Sequence, residues 1–260
     1  MPTSSRSLTE KTNRESPVYL TFDVDWACDE VLEYAISLVE DSDTKATFFI
    51  THDTPLLARL RENPNIELGV HPNFSPLLEN GGGASAREIL QDIHAVVPEA
   101  VAVRSHALMT GSLLSDLFYK DGLRIESNTY YHVGREKIIP SPAYDPCGML
   151  RVFHFWEDDC HIAWADQRVE RDWDAGGFLD YDGVRIFDFH PIHLFLNTEH
   201  GQRYESSRGV HRAPTELAHH RNTADAGAGA FFTDLIGAIK ARNIPTGKIA
   251  DILHAFDGGI

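Results

Sequence analysis

Cysteine is scarce. The 260 residues hold three, Cys28, Cys147 and Cys160, an odd number with no CxxC spacing, which argues against a disulfide framework or a cysteine zinc site and suits a reducing compartment. Positive charge is also short: 23 Lys and Arg face 39 Asp and Glu, a formal net charge of −16 with His neutral. No basic stripe offsets that balance, so phosphate backbones and anionic headgroups are repelled and nucleic acid is not an expected partner. Long apolar runs are missing too. No stretch spans a bilayer, and Met1 to Ser16 is polar without a signal-peptide core, so the expected location is cytoplasmic with no membrane span. Gly81 to Gly83 lack the strand-to-helix GxGxxG frame, which argues against nucleotide binding there.

What remains is ordinary globular composition, 42% hydrophobic and 24% charged, which excludes disordered, collagenous and coiled-coil polymers. The length suits one α/β barrel, which typically needs about 250 residues. A chain this long buries roughly three quarters of its unfolded surface, so any metal would serve chemistry before folding. The 14 histidines bring the net charge close to zero once protonated below about pH 6.5. Poor solubility near pH 5 is expected, and a turbidity scan checks it.

Short apolar runs alternate with amphipathic segments, the pattern of βα units around a mainly parallel sheet. Strands are expected at Val18 to Asp25, Ala46 to Thr51, Ile66 to His71, Ala100 to Arg104, Arg124 to Thr129 and Val184 to Phe189. Helices are expected at Glu30 to Glu40, Pro55 to Arg61, from the Ser85/Glu88 capping box to Val97, Leu113 to Tyr119, Phe231 to Arg242 and Ile249 to Phe256. Ile138 to Asp182 reads as irregular strands and loops, and Gln202 to Gly227 as a polar loop. With no linker or repeat, the organisation expected is a polar tail over residues 1–16 and one domain over residues 17–260.

The informative residues are polar and sit at strand ends. Alternation in Tyr19 to Asp25 puts Leu20, Phe22 and Val24 on one face and Thr21, Asp23 and Asp25 on the other. Two carboxylates so close call for a metal ion or a basic neighbour, because like charges raise the pKa of one member; two surface aspartates ending a strand are the plain alternative. Three later strands end in His71-Pro72, Arg104-Ser105-His106 and His190-Pro191-Ile192-His193. Parallel α/β folds build their sites at that edge, where loops converge on one cleft. Asp and His suit a borderline divalent cation such as zinc, which takes about three protein ligands in a catalytic site and lowers the pKa of its water to about 7. A remaining carboxylate and histidine complete the acid and base of a metal-assisted hydrolase.

In their order, Thr21-Phe22-Asp23-Val24-Asp25, His71-Pro72-Asn73-Phe74-Ser75, Arg104-Ser105-His106 and Phe189-His190-Pro191 resemble the motifs of the polysaccharide deacetylase superfamily, the family-four carbohydrate esterases and their relatives. With Trp156-Glu157-Asp158-Asp159 they look like its WbmS-like branch, associated with bacterial O-antigen gene clusters. The resemblance implies a distorted (β/α) barrel and a metal-dependent deacylase acting on a carbohydrate or sugar-nucleotide of surface-polysaccharide biosynthesis. It implies Asp23 as general base, Arg104 as its cationic partner and His190 as general acid, with Asp25 and His71 on a zinc-like divalent cation. Ser75 stands where the second histidine of the family's HxxxH pair would be, so His106 is the expected third ligand, with Asn73 and His193 in reserve. The resemblance further implies that water activated by the cation attacks the carbonyl of an N- or O-acyl sugar.

Trp156 is expected to frame the cleft and stack on a sugar ring, and Asp158 or Asp159 to orient Arg104 or His190; a solvated acidic loop is the plain alternative. Asn197 either supports the site or ends a strand. His52 is a weaker candidate, and His219 and His220 are expected to be exposed. Two other readings stand beside the deacylase: a different C–N hydrolase resembling allantoinases, and a sugar-binding homologue without activity.

Overall fold

The computed structural model describes residues 16–79, 83–133, 137–166, 173–224 and 226–257. Residues 1–15 of the polar tail, with Gly81 and Gly82, lie outside the described residues. The strands are β1 (Val18–Asp23), β2 (Ala46–Ile50), β3 (Ile66–Val70), β4 (Ala102–Val103), β5 (Ile125–Tyr130), β6 (Ala143–Tyr144), β7 (Leu150–His154), β8 (Trp156–Glu157), β9 (Arg185–Phe189) and β10 (Thr246–Gly247). They pair in the order β6-β7-β5-β4-β3-β2-β1-β9-β8, with β10 against the start of β1. All pairings are parallel except β6 with β7.

The pairing order shows how the sheet closes. Strand β7 ends at His154 and β8 begins at Trp156, so Phe155 alone links strands from near the two ends of that order. One residue spans about 3.3 to 3.6 Å, which is possible only if the sheet curls until its margins meet. Phe155 N donates to Ile186 O at 3.3 Å across the seam. The result is the expected distorted (β/α) barrel.

Helices α1 (Asp29–Ser42), α2 (Leu57–Glu62), α3 (Pro76–Glu79), α4 (Ala86–Val96), α5 (Ser112–Lys120), α6 (Asp158–Asp166), α7 (Ala175–Phe178), α8 (Pro191–Leu196), α9 (Gly201–Ser207), α10 (Pro214–Leu217), α11 (Ala228–Ala241) and α12 (Ile249–Asp257) follow or cover the strands. Helix α1 buries Val31, Leu32, Ala35, Ile36 and Val39, spaced to keep one stripe inward. Helix α4 starts on the expected capping box, with Glu88 N donating to Ser85 Oγ and Ser85 N to Glu88 Oε2. Outside the barrel, Phe22 stacks on Phe48 at 4.5 Å and meets Phe189 and Phe232; each buried phenyl contributes roughly 1.5 to 3 kcal/mol. A second cluster unites Tyr19, Phe49, Ala102, Ile125, Leu150 and Ile186 with Ile249 and Ile252 of α12. That helix closes one end and leaves the strands' C-terminal ends for polar groups.

Three expectations need correction. Strand β1 stops at Asp23, and Asp25 and Trp26 turn away in left-handed backbone at φ 44° and 55°. The stretch Ile138 to Asp182, expected as irregular strands and loops, holds the strands β6, β7 and β8 but also the helices α6 and α7. Residues 202–227, expected as a loop, hold most of α9, all of α10 and two 3₁₀ turns, 208–210 and 218–220. These helices are too short to show a period, and Leu217 is the one fully buried apolar anchor among the described residues there. No helix among the described residues is long and apolar enough to cross a membrane.

Candidate active site

Four strand ends converge. Asp23 closes β1, His71 follows β3, Arg104 follows β4 and His190 follows β9. Hydrogen bonds carry the ladder beyond the strands: His71 N to Ile50 O at 2.8 Å, Arg104 N to Val70 O at 3.1 Å and His106 N to Pro72 O at 3.0 Å. Each chemical group therefore stands on backbone that the sheet holds.

At the centre is Asp25. Its Oδ1 lies 3.1 Å from His71 Nε2 and 3.0 Å from His106 Nδ1, and its Oδ2 lies 3.6 Å from His190 Nε2. Burial pushes the Asp25 carboxyl up, but hydrogen bonds from His106 and His71 outweigh it and hold the group far below the usual carboxylate range. The His106 ring is raised by the hydrogen bond to Asp25, against the effect of burial. One carboxylate oxygen and two imidazole nitrogens, all within 4.8 Å of one another, form a donor set suited to a divalent cation such as zinc. Ligand atoms placed tetrahedrally at about 2.1 Å lie roughly 3.4 Å apart, close to the separations here. Asp25 and His106 are 23% and 31% exposed, which leaves that side open to the cleft. The residues fit the ion.

Behind Asp25 is a buried polar layer. Arg104, fully buried, donates from Nη1 to Asp23 Oδ1 at 2.9 Å, to Thr21 Oγ1 at 3.0 Å and to Asp188 Oδ1. Its Nε and Nη2 donate to Ser127 O and Ser127 Oγ, and the guanidinium lies over the Phe49 ring at 4.5 Å. Burial opposes the Arg104 charge, yet Asp188 and Asp23 hold its pKa above the ordinary value. Burial drives Asp188 well up, further than Arg104 brings it down. Asp23 Oδ2 remains free of Arg104, 3.7 Å from His71 Nδ1.

On the other side, His190 N donates to Asp158 Oδ2 at 2.8 Å, and Nδ1 pairs with Asp158 Oδ1 at 2.7 Å. Burial lowers the His190 pKa, but the Asp158 charge and hydrogen bond reverse that and raise it well above the usual imidazole value. Its Nδ1 is bound by Asp158 and its Nε2 faces Asp25.

Asp25, His106 and His190 line a cleft of about 610 Å³ that also includes Asp159, His193, Tyr204 and Arg212. His193 pairs through Nδ1 with Thr198 Oγ1 at 3.1 Å, and burial lowers its pKa. Trp156 does not frame the cleft: it is 2% exposed and stacks on Phe231 at 4.1 Å, because β8 directs it into the outer core. Asn197 ends helix α8, not a strand, at φ 49°. Its Oδ1 accepts from Ala230 N and its Nδ2 donates to Asn222 O, which joins α8 to α11 instead of serving the cleft. Asn73 closes a turn by accepting from Ser75 N at 3.0 Å and lines a side cavity with His71 and His52. His219 is exposed and His220 half-buried. Trp26, Tyr204, His211 and Arg212 were not singled out in the sequence; only the position of Trp26 beside Asp25 offered a signal.

The fold and this constellation define a carbohydrate-esterase-like barrel. The WbmS-like polysaccharide deacetylase family matches residues 20–208. A protein of Bordetella bronchiseptica, provisionally described as a polysaccharide deacetylase involved in O-antigen biosynthesis, is 38% identical, with a TM-score of 0.78 over 89% of this chain and 99% of its own. The chain belongs to the WbmS-like polysaccharide deacetylase family. The peptidoglycan deacetylase PdaC of Bacillus subtilis shares the fold at 13% identity, with a TM-score of 0.50 over 95% of this chain and 94% of its own. So does a 4-alpha-glucanotransferase of Thermococcus litoralis, at 11% identity and a TM-score of 0.51, over 93% of this chain and 38% of its own. No curated protein matches the chain.

Proposed function

We propose that the chain removes an acyl group from a sugar of surface-polysaccharide biosynthesis, using a divalent cation, zinc by preference, held by Asp25, His71 and His106. The observation that carries this reading is the bracketing of Asp25 by two imidazoles, with an Arg-held aspartate on one side and an Asp-held histidine on the other. Membership of the deacetylase family and the 38% identity to the Bordetella protein support the substrate class.

When bound, the cation would polarise the acyl carbonyl and acidify water near it. Asp23 takes the proton from the attacking water: Oδ1 is fixed by Arg104, so Oδ2 is the accepting atom. Arg104 holds the Asp23 carboxyl in one orientation through Oδ1. His190 gives its Nε2 proton to the leaving amine or alcohol, while Asp158 anchors Nδ1 and fixes the ring. Buried surroundings keep these charges effective by excluding solvent.

The test is metal analysis of purified protein together with acetate release from N-acetylated sugars. About one divalent ion per chain is expected, lost in His71→Ala and His106→Ala. Asp23→Asn should keep the ion and lose at least about 100-fold in turnover, the lower end of general-base effects. Retained turnover in Asp23→Asn, or protein that binds no divalent ion, overturns the reading. Opening of a cyclic amide without acetate release would favour the allantoinase-like alternative.

A further inference from the structure

The wall of the cleft contains one Arg or Lys among the described residues, Arg212, and it is exposed. In a chain with 39 acids and 23 bases, several other arginines near the surface hold carboxylates: Arg59 pairs with Glu40, Arg61 with Glu99, Arg208 with Glu205 and Arg242 with Asp180. Arg212 makes no hydrogen bond or ion pair with the described residues, although Glu205 lines the same wall. Its guanidinium is left for a partner from outside.

Trp26 gives that partner a position. It is 37% exposed and held in left-handed backbone, with its main-chain N–H donating to Thr51 Oγ1 at 3.1 Å and its ring edge-on to His106 at 5.1 Å. Both Trp26 and Arg212 border the main cleft and a neighbouring cavity of about 470 Å³. A planar aromatic face beside the candidate ligands suits a sugar ring, and a planar fork of donors beyond it suits a carboxylate or phosphate. The net charge of −16 opposes anions in general, and although charges beyond about 8 to 10 Å are screened at physiological salt, Asp159 and Glu205 line the cleft and Asp29 and Glu30 the neighbouring cavity, so the bidentate contact with Arg212 must outweigh them.

Resting on the deacylase reading, we infer that Arg212 selects substrates bearing an anionic group, a ring carboxylate or a sugar-linked phosphate, attached to an acyl sugar that lies against Trp26.

The test measures binding to zinc-loaded Asp23→Asn protein by calorimetry at low ionic strength. The probes are N-acetylglucosamine, N-acetylglucosamine 1-phosphate and N-acetylglucosaminuronic acid. A charge-assisted bidentate contact predicts about ten- to a hundredfold tighter binding of an anionic probe than of the neutral sugar, and the probe preferred identifies the source of the charge. Adding Arg212→Gln should abolish the preference, and Arg212→Lys should keep part of it. Lys120→Gln, which removes an exposed charge paired with Asp116, should keep all of it. Equal affinity for the three probes, no measurable binding of any, or a preference that survives Arg212→Gln overturns the inference. If the preference depends on Arg212 while the unsubstituted protein releases no acetate, the deacylase reading fails and the anion site stands.

Discussion

Asp158 grips His190 at two points, accepting from its main-chain N–H at 2.8 Å and pairing with its Nδ1 at 2.7 Å. One carboxylate thus fixes both the end of β9 and the ring that follows it. Asp158→Asn keeps the shape and weakens the grip on the imidazolium. The expected outcome is a loss of about 100-fold in kcat with little change in KM, the size of a misdirected general acid. Acetate-release kinetics check it, and a rise in KM at constant kcat would count against the assignment.

Arg104 donates from Nη1 to two buried carboxyl groups, Asp23 and Asp188. Arg104→Met leaves both without that partner inside the barrel. Removing one partner of a buried pair costs about 3 to 5 kcal/mol, so denaturant unfolding should show a loss of that order. A loss below about 1 kcal/mol, the range of exposed pairs, would contradict the central position of the guanidinium.

Gly69 on β3 has no side chain because Phe49 occupies the space: an added Cβ would lie 2.6 Å from the Phe49 ring and 3.1 Å from Ala102 O. Phe49 in turn lies under Arg104. Gly69→Ala should therefore cost roughly 1 to 3 kcal/mol through overpacking and also reduce turnover by shifting the ring beneath Arg104. Thermal unfolding and kinetics on one preparation measure the two together.

His154 is buried, pairs through Nε2 with Glu157 Oε2 at 2.9 Å, and is held well below the usual imidazole range by burial and by the nearby Arg104 and His190 charges. Its folded pKa lies below the unfolded value of about 6.5, so below that pH the unfolded chain binds the extra proton and stability falls as pH falls. The slope from this one group approaches about 1.4 kcal/mol per pH unit. His190, whose pKa is raised, works in the opposite direction, so the test is a difference. Urea unfolding of His154→Gln between about pH 7 and about pH 5.5 should show a shallower decline than the parent.

Much of the fold was legible because it repeats one signal. Apolar runs such as Ala46–Ile50 and Ile66–Val70, each followed by an amphipathic segment, declare parallel βα units, and the Ser85/Glu88 box declares its helix. The polar ends Asp23, His71, Arg104 and His190 stood out because hydrophobic strands leave charged residues little place except at their mouths. Asp25 shows where alternation stops being a guide: period two put it on Asp23's face, but it reaches His71 and His106 through a left-handed turn that no periodicity encodes. Trp156 misled because a tryptophan beside acids reads the same whether it faces sugar or core, and only the pairing of β8 with β9 decides. Tyr204, His211 and Arg212 were hidden because short helices with one buried leucine resemble a polar loop.

The single-residue link at Phe155 ties shape to chemistry. Trp156 and Glu157 pair with Phe187 and Asp188, and Asp158 follows at once, so the seam leaves no slack between β7 and the carboxylate on His190. A shift of β7 along its neighbour is delivered directly to that imidazole, and the staves of the barrel cannot slide without moving the acid that faces the cleft.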